Sequence, residues 1–240
     1  MTFALISSVF NDENGPLILG GFIGLLVIAV IIINFLERQR TSNLKKVAAK
    51  NGLGFFPEAD QKLLEKMNVF FIFGRELSPG TKNVIQSREG DIVTVFDYAF
   101  SYTSSEGSRT QNYSITCVES EALDLPSFII KPKKERVRIP KMFSKLAEGL
   151  TELHPSLGYQ DIQFEEHPGF SRSFVIKGEN ETTTREFLSR ERLDFFTSRK
   201  KIHLETAKNY FILIRKKRKK AKEIVNEFKE ARVLCRLLEG

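Results

Sequence analysis

Leu17-Ile-Leu-Gly-Gly-Phe-Ile-Gly-Leu-Leu-Val-Ile-Ala-Val-Ile-Ile-Ile-Asn-Phe-Leu36 carries no charge and one polar side chain, Asn34. As a helix rising 1.5 Å per residue, a stretch of this length covers about 30 Å, the thickness of a bilayer's hydrocarbon core. The run is too long for the apolar part of a signal peptide. It lacks a basic segment ahead of it, and Phe35-Leu36-Glu37-Arg38 is not a small-residue cleavage site. The reading is therefore an uncleaved transmembrane helix over 17–36 with a large polar part behind it.

The flanks predict an orientation. Asp12 and Glu13 precede the span, with no Lys or Arg; Arg38, Arg40, Lys45, Lys46 and Lys50 follow it. Basic flanks stay cytoplasmic. Residues 1–16 are thus expected outside a cell inner membrane, 37–56 as a juxtamembrane segment, and 57–240 as a cytoplasmic domain. Asn14-Gly15-Pro16 reads as a turn before the helix. Gly20 and Gly24 form a small-xxx-small pair that could pack two spans into a homodimer, although glycine is also common in membrane helices.

Net charge is +7, and Arg215, Lys216, Lys217, Arg218, Lys219, Lys220 and Lys222 supply seven positive charges, so the remaining residues balance to zero. This is a neutral protein with one concentrated basic block. Cys117 and Cys235 are the only cysteines and have no metal-motif spacing, which fits two reduced thiols in the cytosol.

Patterning outside the span predicts an α+β fold: an antiparallel-sheet domain with flanking helices. Leu44, Val47 and Ala48 mark one side of a helix over 41–51, stopped by Gly52. Phe55-Phe56-Pro57 reads as a turn, followed by a second helix to Met67. Val69 to Phe73 reads as either a buried strand or the end of that helix. From Asp91 to Tyr102, alternate residues Ile92, Thr94, Phe96, Tyr98, Phe100 and Tyr102 share one face. With strands over 83–88 and 111–118 this makes a three-stranded meander. Further strands are expected over 127–131, 162–164 and 173–177. Thr183 and Glu186 suggest a capping box for one helix to Ser198. A hairpin over 202–214 precedes a last helix that buries Ile224, Phe228, Ala231, Cys235 and Leu238.

A set of short motifs runs through this order: Val84 and Gly90, Val95-Phe-Asp-Tyr98, Leu125-Pro-Ser-Phe128 with Lys131-Pro132, Asp161-Ile-Gln-Phe164, His167-Pro-Gly-Phe-Ser171, Val175-Ile-Lys-Gly178 and Leu193-Asp-Phe-Phe196. Over residues 44 to 215 the chain resembles a family of uncharacterised bacterial single-span membrane proteins with a cytoplasmic α+β domain. The resemblance implies architecture only, carries over no activity, and does not reach the basic block or the final helix; no metal or cofactor is expected.

Catalytic candidates are sparse. Asp161, Glu165, Glu166 and His167 lie close in sequence and could share a proton or a metal if they converged. As a strand, Asp161 and Glu165 would share a face that Glu166 leaves, and no metal-motif spacing is met, so the segment reads as a solvated acidic turn ahead of Pro168 with His167 fixed by the X-Pro geometry. His154 and His203 read as surface or loop residues, and Asp97 as the solvent side of an alternating strand. Ser7 and Ser171 lack a nucleophile-elbow context. Gly52 and Gly54 lack a phosphate-loop pattern, which disfavours nucleotide hydrolysis.

The basic block is the strongest local signal. A solvated strand-to-helix connection would need no ligand. Cations ahead of a helix N-terminus, however, are unfavourable with its dipole. Anionic lipid headgroups of the facing leaflet are the nearest partner, and RNA or DNA is the other polyanion. The expected function is a membrane-tethered, non-enzymatic interaction module with an unknown protein partner. The alternatives are a membrane-bound enzyme acting on a lipid or envelope precursor through Asp161, Glu165 and His167, and a membrane-recruited nucleic-acid binder.

Overall fold

The computed structural model describes residues 15–73, 80–88, 90–104, 107–133, 158–199 and 201–239. It divides into two compact units, 1–43 and 44–240. The expected outer residues 1–14, Pro140 and His154 lie outside the described residues.

Helix α1 (Gly15–Lys50) contains the apolar run. From Leu19 it is long and apolar enough to cross a membrane, and the side chains of that window are unburied. The helix continues through the stretch predicted as a separate juxtamembrane element. It ends in a Schellman turn: the Leu53 N–H donates to Ala48 O and the Gly52 N–H to Ala49 O. Gly52 has φ +68°, a conformation that costs a Cβ-bearing residue. Leu44 and Ala48, at 1% and 0% exposure, belong to the domain's core. The domain therefore starts at Leu44 and not at Pro57, because the last turns of α1 supply side chains its core needs.

After α1 come β1 (Gly54–Glu58), α2 (Gln61–Met67), a 3-10 turn (Phe71–Phe73), β2 (Thr81–Gln86), β3 (Ile92–Ser104), β4 (Gly107–Glu119) and β5 (Leu125–Pro132). Then follow β6 (Gln160–Ile162), α3 (Pro168–Ser173), β7 (Phe174–Gly178), α4 (Glu181–Phe187), α5 (Arg190–Ser198), β8 (Leu204–Lys208), β9 (Tyr210–Arg215), a second 3-10 turn (Ala221–Glu223) and α6 (Ile224–Glu239). The nine strands form one antiparallel sheet in the order β1-β2-β3-β4-β9-β8-β5-β7-β6. The α+β class is as the sequence predicts. So are the β2-β3-β4 meander and the β8-β9 hairpin, which turns through Lys208 at φ +53°.

Three local expectations change. Phe55-Phe56-Pro57 is the edge strand β1, with Phe56 opposite Val84; an edge tolerates a proline because one side of the strand needs no ladder donor. The run 69–73 is neither strand nor α-helix: a turn at Val69 and a bend at Phe70 lead into the first 3-10 turn at Phe71–Phe73. The single helix predicted from Thr183 to Ser198 is two. Asn180 caps α4 by accepting the Thr183 N–H at 3.1 Å, and Ser189 caps α5, so the chain breaks at Leu188.

Both sheet faces are covered. Val93 and Val95 of β3 point into a first core with α1, α5 and α6, where Ile224, Phe228, Ala231, Cys235 and Leu238 are all buried. Phe96 and Tyr98, the alternate residues, enter a second core with Met67, Phe70 and Phe73. Asp97 therefore does not face solvent. It shares the first core's face at 5% exposure, because on this strand alternation separates one core from another.

Gly178 of β7 sits at a close approach. A Cβ there would lie 2.7 Å from Thr184 Oγ1 and 2.8 Å from Ile162 Cδ1. The Thr184 hydroxyl cannot yield, since it donates to Asn180 O at 2.6 Å. Gly178→Ala should destabilise the domain by about 1–3 kcal/mol, read as a lower melting temperature. An unchanged melting temperature would show that Ile162 and Thr184 repack freely.

Candidate functional site

The basic block begins at the last residue of β9. Strand alternation turns Arg215 toward the first core's face, where α6 packs. Its Nε lies 3.1 Å from Glu227 Oε2 and its Nη2 2.8 Å from Glu230 Oε2. Lys219 Nζ reaches the other Glu227 oxygen at 2.7 Å, and the Lys219 backbone N–H donates to Ser114 Oγ at 2.8 Å. Glu227 is 2% exposed. Burial pulls the Arg215 guanidinium down, but Glu227 and Glu230 more than offset this and hold it above its ordinary value. Arg199 adds a longer contact to Glu230 at 3.8 Å.

The polar seam continues across the sheet. Ser114 stands opposite both Arg215 and Asp97. The Asp97 carboxylate accepts from the Asn83 amide at 2.9 Å. Asn83 occupies φ +55° at an irregularity in the β2-β3 ladder. Asn tolerates that conformation, and here it supplies the donor that a buried carboxylate requires.

The block is therefore not one solvated run. Arg215 and Lys219 are internal ion-pair partners, whereas Lys216, Lys217, Lys220 and Lys222 are exposed. The backbone N–H of Lys220 donates to Glu223 Oε2 at 2.8 Å. That hydrogen bond, with the neighbouring lysines, holds the Glu223 carboxyl below its usual range. Glu223 in the second 3-10 turn and Glu227 in the first turn of α6 thus compensate the cations that the dipole alone would disfavour.

The acidic cluster near His167 does not converge. Asp161 on β6 pairs with Lys177 at 3.1 Å, and Glu166 reaches Arg185. His167 caps α3: its Nδ1 accepts the Phe170 N–H at 3.2 Å. Nε2 therefore carries the proton and donates to Asp194 Oδ1 at 2.8 Å. Glu165 lies beyond the end of β6, so the strand face expected to join it to Asp161 is not formed. Ser171 donates to Phe164 O.

Two groupings were not legible in the sequence. Asp91, Cys235 and Glu239 bring three possible metal-ligand atoms within 4.8 Å of one another. Burial, helped by both carboxylates, pushes the Cys235 thiol well above its ordinary value. At neutral pH it is thus a donor to Glu239, at 3.2 Å, and not a thiolate. Cys117 is likewise pushed up to about 12 by burial.

The second grouping is His203 and Glu205. His203, expected at the surface, is 6% exposed, on a sheet covered on both faces. Its Nε2 lies 3.8 Å from Glu205 Oε1, and Glu205 Oε2 accepts the Ile72 N–H at 3.3 Å. Burial pushes Glu205 up to about 7 and His203 down to about 3; Lys131 and Lys216 add to the histidine's shift.

Comparison with known proteins identifies a fold and no family. No family model matches the chain, and no curated protein sequence matches it. Among solved structures the chain is similar to the mycobacterial trehalose monomycolate transport factor A, TtfA, at 13% identity and a TM-score of 0.53, over 84% of this chain and 95% of that one. At this identity the likeness shows the α+β fold alone.

Glu227→Gln leaves Arg215 and Lys219 short of their shared buried partner. Breaking a buried pair from one side costs about 3–5 kcal/mol. Because Arg215 keeps Glu230, the lower end is expected, about 3 kcal/mol, or roughly 6–12 °C in melting temperature. A shift below about 2 °C would make the network a solvated one.

His203 and Glu205 oppose each other in pH dependence. From about pH 4.5 to 7 the folded chain holds a proton on Glu205 that the unfolded chain releases, so stability falls as pH rises. From about pH 3 to 6.5 the unfolded chain holds a proton on His203 that the folded chain excludes, so stability rises. Between pH 4.5 and 6.5 the slopes, each about 1.4 kcal/mol per pH unit at most, oppose each other and cancel. Denaturation of Glu205→Gln across that window should show stability rising with pH, and His203→Asn should show it falling. Parallel profiles for both variants and the parent would overturn this pairing.

Proposed function

We propose that this chain is a membrane-tethered, non-enzymatic interaction module. Helix α1 anchors it in a bacterial inner membrane with the N-terminus outside. The α+β domain lies in the cytoplasm, where it presents the exposed lysines of the basic block to anionic headgroups. The observation that carries this reading is the surface of α1. Its apolar side chains from Leu19 to Leu36 are 45–68% exposed, and a contiguous apolar surface of this kind is stable in a bilayer and not in water. TtfA, to which the fold is similar, is named as a transport factor, a name that supports a role through contacts. So does the engagement of Asp161, Glu166 and His167 in separate structural pairs. Gly20 and Gly24 stand in open space on α1, available for pairing of two spans.

The full chain should fractionate with membranes and resist alkaline extraction. A reporter active only in the cytoplasm, fused after Gly240, should work, because the cations 38–50 follow the span and the acids precede it. Activity confined to a reporter that functions outside the cytoplasm would reverse the topology. Release of the chain by alkali would remove the anchor.

A further inference from the structure

The structure separates the charges of α6 by face. Glu227 is buried against Arg215 and Lys219, and Glu230 turns inward to Arg215 and Arg199. From Asn226 to Arg236 the exposed positions are Asn226, Lys229, Arg232, Val233 and Arg236, with no carboxylate among them. These positions recur at spacings of three and four, which place them on one side of the helix. Lys222 in the preceding 3-10 turn is also exposed and joins this stripe to Lys217 and Lys220 of the block. Sixteen residues of helix extend about 24 Å.

We propose that the outer face of α6, carrying Lys222, Lys229, Arg232 and Arg236, is a docking surface for an anionic lipid leaflet, continuous with the exposed lysines of the block. The inference rests on the proposed membrane-tethered reading and extends its contact surface beyond residue 222. Three observations select the occupant. From Asn226 to Arg236 the stripe carries one sign of charge, which matches a plane of headgroups better than a compact ligand; the exposed carboxylate of α6, Glu239, lies beyond its C-terminal end. The apolar side of α6 is spent on the core, so the helix cannot insert as an interfacial amphipathic helix does; it docks through charge, with Val233, 46% exposed, as its single large apolar contact. The same chain carries a helix able to cross a membrane, which keeps the domain at high effective concentration near headgroups. Each basic residue near an anionic leaflet contributes about fivefold in occupancy, so a stripe of four suffices for a stable, salt-sensitive contact.

The test uses the full chain in lipid nanodiscs of phosphatidylcholine alone or with roughly a third phosphatidylglycerol, a share that gives the leaflet a negative surface potential. A water-soluble amine reagent acylates lysines and mass spectrometry reads each site. Lys62 on α2, exposed and outside the stripe, is the internal control. In anionic discs, labelling of Lys222 and Lys229 should slow at least about fivefold relative to neutral discs, with Lys62 unchanged. Salt at about 0.5 M should restore it, since screening then reaches within a few Å. Arg232→Gln with Arg236→Gln should restore labelling of Lys229 at low salt without lowering the melting temperature, because both side chains are exposed. Slowing at Lys217 and Lys220 with Lys229 unchanged would overturn the stripe and leave the block's lipid contact standing. No slowing at any of these lysines would overturn both. Protection of Lys229 in neutral discs by a single-stranded oligonucleotide, stronger than by anionic lipid at equal ionic strength, would assign the stripe to nucleic acid and overturn the lipid docking.

Discussion

The charge pattern of the domain depends on one desolvated carboxylate. Glu227 sits at 2% exposure between the end of β9 and the first turns of α6, with a cation on each oxygen. A buried carboxylate without partners would cost several kcal/mol, and one with two cations and good geometry approaches balance. The constraint propagates in both directions. It fixes Arg215 and Lys219 inward, and Ser114 holds the Lys219 backbone, so the loop between strand and helix is tied at both ends. It also sets the rotation of α6, since Glu227 must face the sheet beside Phe228 and Ala231. Once that rotation is set, Lys229, Arg232 and Arg236 have only the solvent side left. Exposed charge on α6 is thus a geometric consequence of a buried ion network.

The second constraint is a sheet buried on both faces. Two cores lie on opposite sides of β3, and each takes alternate residues of the strand. A sheet of this kind has no solvated face on which to place polar residues, so each buried polar group needs its own partner. Asp97 is met by Asn83, and Glu205 by the Ile72 N–H and the nearby His203. The His203–Glu205 pair meets the requirement by neutralisation: both groups favour their uncharged forms, the cheaper state when burial is near complete. Glu227 and Arg215 meet it by pairing of charges. The two solutions sit on opposite faces of the same hairpin, one at β8 and one at the end of β9.

These two constraints explain what was legible in the chain and what was not. The apolar span, the β2-β3-β4 meander, the β8-β9 hairpin and the buried stripe of α6 follow local periodicity, and local periodicity is visible in a sequence. The single basic block was also visible. Its division into inward and outward cations was not, because the acids that divide it lie one to three turns further along α6 and act only after the helix has rotated onto the sheet. Asp97 misled for a related reason: alternation reports a two-sided strand but not whether the second side is water or another core. His203 was unreadable alone, since nothing in its neighbours marks a strand that ends under a covered face. The gathering of Asp91 with Cys235 and Glu239 joins positions separated by most of the domain, and only tertiary structure brings them together.

The contrast between α1 and α6 follows from the same physics. Helix α1 exposes its apolar side chains and has no charge over its span, so a bilayer core is the solvent in which its burial is favourable. Helix α6 spends its apolar side on the domain and carries cations at Lys229, Arg232 and Arg236 on its outer face, so the favourable surroundings of that stretch are water and negative charge. A span holds a chain in a membrane regardless of salt, whereas a cationic face yields to screening. In the proposed reading, a chain combining them keeps a permanent anchor and a contact that can be released by ionic strength or by a competing polyanion. That division of labour requires Glu227 and Glu230 to stay inside: turned outward, either carboxylate would cancel the adjacent cations, and the buried network of Arg215 and Lys219 is what prevents it.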